Sequence, residues 1–181
     1  MSEHAAPFLG PWLTFYAMIG SSAAALTGLM FVVITLVTRA ETPARRAGLD
    51  AFSTPTVLHF CVALFVSAVL CAPWPSLAAP AALIGIAGLC GFAYQLRVLW
   101  IVRHMTAYTP DTEDWIWYSV LPLVAACAML GGAVALRWVP AQALYAIAAS
   151  TLLLIFMGIR NAWDVVTFLA IQGPPAAPPS S

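Results

Sequence analysis

Near the C-terminal end an apolar run is interrupted by Arg160-Asn161-Ala162-Trp163-Asp164 and then resumes as Val165-Val166-Thr167-Phe168-Leu169-Ala170-Ile171. Helical residues four apart stack on one another, so Arg160 and Asp164 share a face and Asn161 lies beside them. Charge in apolar surroundings is costly, and ionisable residues inside membranes usually pair with one another or line a watery cavity. Two chemistries suit this block. Arg160 can neutralise Asp164 within one helical turn while Arg97 reaches the headgroups and His59 is hydrogen-bonded inside a bundle. Alternatively, Asp164 and His59 titrate in an inner vestibule, with Arg97 and Arg160 as counter-charges, and move ions, protons or small solutes.

The elements that must position these residues follow from composition. The 181 residues are 62% hydrophobic and 8% charged, contain no lysine and carry no net charge, with a mean hydropathy of +0.93. Soluble domains devote about a quarter of their residues to charge. The chain therefore reads as an integral membrane protein, and the neutral balance argues against nucleic-acid binding, which needs a clustered basic surface.

A hydrocarbon core about 30 Å thick takes roughly 20 apolar residues of helix. Five stretches qualify: 11–38, opened by Gly10-Pro11; 55–72, opened by the cap-like Ser53-Thr54-Pro55; 80–102; 115–137; and 141–171 if the polar block remains helical. Residues 1–172 thus form one transmembrane domain, an all-α bundle of five helices. The tail 173–181, rich in proline, is expected to be disordered. Glu3 and His4 precede a long apolar run, which is unlike a cleavable signal peptide.

Arginine placement orients the bundle. With the N-terminus outside and the C-terminus cytoplasmic, Arg39, Arg45, Arg46, Arg97, Arg103 and Arg160 face the cytoplasm and only Arg137 faces out, as the positive-inside rule requires. Trp12, Tyr16, Trp74 and Trp138 then read as an outer aromatic belt, and Trp100, Tyr108, Trp115 and Trp117 as an inner one. In this frame His59, Arg97, Arg160, Asn161 and Asp164 share one inner-leaflet layer, within reach of Thr35, Arg39 and Ser119.

Gly20, Ala24 and Gly28 repeat every fourth residue and give the first span a smooth packing face, since small residues let helix backbones approach closely in lipid. Gly85, Gly88 and Gly91, and Ala128, Gly131, Gly132 and Ala135, offer similar surfaces. Such faces serve packing within the chain or self-association. The stretch Phe15-Tyr16-Ala17-Met18-Ile19-Gly20-Ser21-Ser22-Ala23-Ala24-Ala25-Leu26-Thr27-Gly28-Leu29-Met30-Phe31-Val32, with Gly158-Ile159-Arg160-Asn161-Ala162-Trp163-Asp164, resembles a group of uncharacterised small bacterial integral membrane proteins. The resemblance implies a bacterial inner-membrane location and brings no activity and no catalytic or binding residue.

Other chemistry is thinly represented. His59 and His104 form a weak bis-histidine haem pattern, and Cys61, Cys71, Cys90 and Cys127 lack metal-ligand spacing and read as buried apolar thiols. Asp111, Glu113 and Asp114 suit the N-terminus of the fourth helix. No phosphate loop, zinc-protease motif or nucleophile elbow occurs, and Ser119 with His59 is a serine–base pair by depth alone. The expectation is a structural or accessory inner-membrane component, not an enzyme, without metal or cofactor, acting in the bilayer as a homo-oligomer or beside a partner membrane subunit. The alternative is a homo-oligomeric channel or transporter built on the inner polar cluster.

Overall fold

Proline, which lacks an N–H and clashes with the carbonyl four residues earlier, decides where several helices begin, change pitch or stop. The computed structural model describes residues 6–38, 43–104 and 115–171, and every regular element among them is helical. A turn of helix at Ala6–Leu9 and a 3-10 turn at Gly10–Trp12, with Pro11 in its first positions, lead into α1 (Leu13–Thr38). α2 spans Pro43–Cys71 and α3 spans Ala78–His104. A π turn at Ile116–Val120 opens α4 (Leu121–Ala135), and α5 runs over Pro140–Ile171.

Two boundaries differ from the sequence expectation. Ser53-Thr54-Pro55 does not cap α2: the helix starts twelve residues earlier, at Pro43, and Pro55 lies inside it. The earlier proline holds the tolerated first position, and Pro55 then costs α2 a single backbone bond. In α5 the helix passes through the polar block without a break. Its 32 residues reach about 48 Å, well beyond a hydrocarbon core of about 30 Å. The acidic stretch Asp111–Asp114 and the tail 173–181 lie outside the described residues.

Among the described residues, four helical stretches are long and apolar enough to cross a membrane: Pro7–Thr35, Ala78–Trp100, Ile116–Ala135 and Pro140–Asp164. Pro55–Cys71 is a shorter apolar helix. This is the architecture of a multi-pass membrane protein, and the exposed Met18, Leu29, Phe31, Ile86, Leu89 and Phe156 are the surface such a solvent requires.

Neighbouring helices run antiparallel. Cys71 Sγ at the end of α2 lies 3.9 Å from the Leu13 carbonyl at the start of α1. Ser150 Oγ of α5 donates to the Ala125 carbonyl of α4 at 2.8 Å. The main interfaces follow the order α1, α2, α5, α4, α3, so α5 is central, α2 and α4 pack on it, and α1 and α3 are outermost. α1 is held chiefly by α2, and α2 touches α3 only lightly although the two are consecutive.

Close backbone approach holds the central pairs together. A Cβ placed on Gly158 of α5 would stand 2.7 Å from Phe60 Cζ of α2, and one on Gly88 of α3 would stand 3.0 Å from the Leu130 backbone nitrogen of α4. The core between these helices is filled by Phe60, Val66, Ile84, Met129, Ile147 and Met157. Tyr16, expected in an interfacial belt, is instead wholly buried beside Trp12 and Phe15. Conversely, Cys61, Cys90 and Cys127 are exposed and not buried, on surfaces that their small apolar thiols suit as well.

Candidate functional site

The polar residues gather at one end of the bundle, where α2 and α4 begin and α3 and α5 finish. The carbonyls freed by proline show how that end is built. Pro73 cannot donate to the Val69 carbonyl, and the Trp74 indole N–H does so instead at 2.6 Å, closing α2 at the opposite end. Pro122 likewise cannot donate to the Tyr118 carbonyl four residues before it. There the chain widens into the π turn, and Gln95 Nε2 of α3 donates to the Tyr118 carbonyl at 2.8 Å and to the Ser119 carbonyl at 3.4 Å. Gln95 is 4% exposed. A side chain from one helix thus completes the backbone of the next, and this fixes α3 against the start of α4.

The π turn also aims Trp117 and Tyr118 at α5. Tyr118 OH donates to Asp164 Oδ2 at 3.1 Å. Arg160 Nε lies 3.3 Å from each Asp164 oxygen, and its guanidinium carbon sits 5.0 Å from the Trp117 ring centre. Arg160 and Asp164 are half-buried, so Arg160 is paired twice over, by a carboxylate and by an aromatic face. Because asparagine keeps an acceptor for Tyr118, Asp164→Asn is expected to change unfolding free energy in mixed micelles by less than about 1 kcal/mol. Asp164→Leu, which deprives both Tyr118 and Arg160 of a partner, is expected to cost more.

The five residues proposed from the sequence as one layer separate in space. Arg160 and Asp164 meet. Asn161 is buried, with its Oδ1 lacking a hydrogen-bond partner. Arg97 is exposed. It follows Gln95 by two residues, about 200° around the helix, so one faces in and the other faces out. His59 is buried and lines a different place, a cleft between α2, α3, α4 and α5, where its Nδ1 has no partner. The His104 side chain lies outside the described residues, and so does any test of the bis-histidine pattern.

Gly20, Ala24 and Gly28 also divide. Gly20 is buried, and a Cβ there would stand 3.0 Å from Ser67 Cβ of α2. Ala24 and Gly28 are exposed, and a Cβ on Gly28 would meet nothing within 4 Å. A four-residue repeat advances about 40° per step on a helix, so a ladder that begins inside ends outside.

Gln95, Trp117 and Tyr118 were not among the sequence candidates. A signal for Gln95 was present: a proline inside an apolar span at Pro122 demands a donor from elsewhere, and Gln95 is an amide in the preceding span. Comparison with protein-family models, curated proteins and solved structures gives no match to the chain.

Proposed function

We propose that this is a structural or accessory component of a bacterial inner membrane, crossing it five times and assembling with further copies of itself through α1. The observation that carries the reading is the outward face of α1. Ala17, Ser21, Ala24 and Gly28 are all exposed along it at 4-3-4 spacing, while α1 packs mainly against α2 on its other side. Ser21 Oγ donates to the Ala17 carbonyl at 2.8 Å, so the face is smooth and its hydroxyl is already satisfied. In lipid, such small-residue seams let a second helix approach closely enough for van der Waals contact to hold it.

Five crossings follow if the apolar part of α2 shares the depth of its neighbours. Its position between α1 and α5, both of which contain long apolar stretches, supports that. The arginine distribution supports an outside N-terminus and a cytoplasmic C-terminus.

Counting subunits of the full chain in nanodiscs, by stepwise photobleaching or native mass spectrometry, tests the assembly. Wild type is expected to be oligomeric, and Gly28→Leu and Ala24→Leu to shift it toward monomer. Both positions are open in the single chain, so folding should survive. A monomeric wild type, or an oligomer untouched by both substitutions, would refute the α1 interface.

A further inference from the structure

We propose that the cleft between α2, α3, α4 and α5 binds the carbonyl group of a neutral, membrane-dissolved molecule, which enters sideways between α2 and α3 and is held by the His59 imidazole. The site is distinct from the α1 face and does not depend on it.

Packing order supplies the entrance. Among these four helices α2 is packed on α5, α5 on α4 and α4 on α3, whereas α2 and α3 touch only lightly, so three sides are closed and the fourth is not. The cleft is partly open and lined from α2 by Leu58 and His59 and from α3 by Gly91, Tyr94 and Gln95. Leu58 is exposed and His59 beside it is buried, as expected of a rim and an interior.

The occupant's chemistry follows from the lining. His59 is 9% exposed and its Nδ1 has no hydrogen-bond partner. A buried polar atom left this way costs about 1–3 kcal/mol, which a ligand oxygen would recover. The Gln95 amide nitrogen is already committed to the Tyr118 and Ser119 carbonyls, whereas the buried His59 imidazole has a nitrogen still to be partnered. Among the described residues no arginine, aspartate or glutamate lines the cleft, so a carboxylate or phosphate there would be buried without a counter-charge from them. The enclosed volume is about 40 Å³. One water needs about 10–15 Å³, so a carbonyl group fits, while the rest of its molecule lies in the groove and the lipid beyond. Two membrane sources carry such an oxygen: the ester of a phospholipid and the ring of a lipid-soluble quinone.

The chain has three histidines, His4, His59 and His104, so ¹⁵N-histidine labelling gives a short, assignable imidazole spectrum. Full-length protein is placed in nanodiscs of ether-linked phospholipid, which has no ester carbonyl, then either exchanged into ester-linked lipid or titrated with a short-chain benzoquinone. The His59 Nδ1 resonance is expected to move, and in the titration to saturate. Response to ester lipid identifies the phospholipid source, and response to benzoquinone in ether lipid identifies the quinone source. Gly91→Leu, which fills the cleft from α3, should abolish the response. Leu58→Trp at the exposed rim should raise the half-saturating concentration about tenfold and serves if Gly91→Leu does not fold. An unmoved resonance in both arms, or a response indifferent to a folded variant, overturns the site.

Discussion

Gln95→Leu is expected to lower the unfolding free energy by about 2–3 kcal/mol, a large loss for a change that adds apolar volume to a membrane protein. The reason is the backbone of another helix. With the amide gone, the Tyr118 carbonyl, to which Pro122 cannot donate, and the Ser119 carbonyl both lose their bond to α3, and removing one partner of a buried hydrogen bond costs about 1–3 kcal/mol. The second half of the prediction isolates that cause. Pro122→Ala restores an N–H four residues after Tyr118, so in the Gln95→Leu background it should return most of the lost stability. Reversible unfolding of the four variants in mixed micelles closes the cycle. Additive effects would show that Gln95 acts by packing alone and that the π turn has another origin.

Gly158→Ala is the other substitution expected to cost most for its size. Alanine gains about 1 kcal/mol of helix propensity over glycine, and Gly28→Ala, where a methyl meets nothing within 4 Å, should be stabilising for that reason. At Gly158 the methyl would stand 2.7 Å from Phe60 Cζ and 2.9 Å from its Cδ1, in a ring that is itself completely buried. Overpacking of this kind costs about 1–3 kcal/mol and should exceed the propensity gain. In a Phe60→Leu background the penalty should fall by at least half, since contacting residues are not additive. Equal penalties in both backgrounds would place the strain elsewhere.

These two sites show what the sequence could and could not convey. Long apolar stretches mark helices whatever their partners, so α1, α3, α4 and α5 were legible to within a few residues. The start of α2 was not, because Ser53-Thr54-Pro55 has the local form of a helix start and only neighbouring structure decides between a cap and a continuation. Arg160 and Asp164 pair inside one helix, so sequence spacing sufficed. Their partners Trp117 and Tyr118 come from α4, and Trp117 read as a belt residue because an aromatic near a span end has that simpler explanation. Arg97 drew attention by its charge, whereas the neutral Gln95 two positions before it is the residue turned inward. Facing direction depends on which helices pack together, and the contact between α2 and α5 joins residues far apart in the chain.

That last contact has a consequence for how the protein is made. α1, α2, α3 and α4 all leave the ribosome before the part of α5 that carries Gly158, and Phe60 precedes Gly158 by about a hundred residues. At synthesis rates of about 5–20 residues per second, α2 waits roughly 5–20 s for its principal partner. Throughout that interval the face of α2 that packs on α5, Phe60 included, lacks its main cover. The chain cannot mature helix by helix in order of synthesis: its first hairpin must be kept from other partners until its last helix arrives.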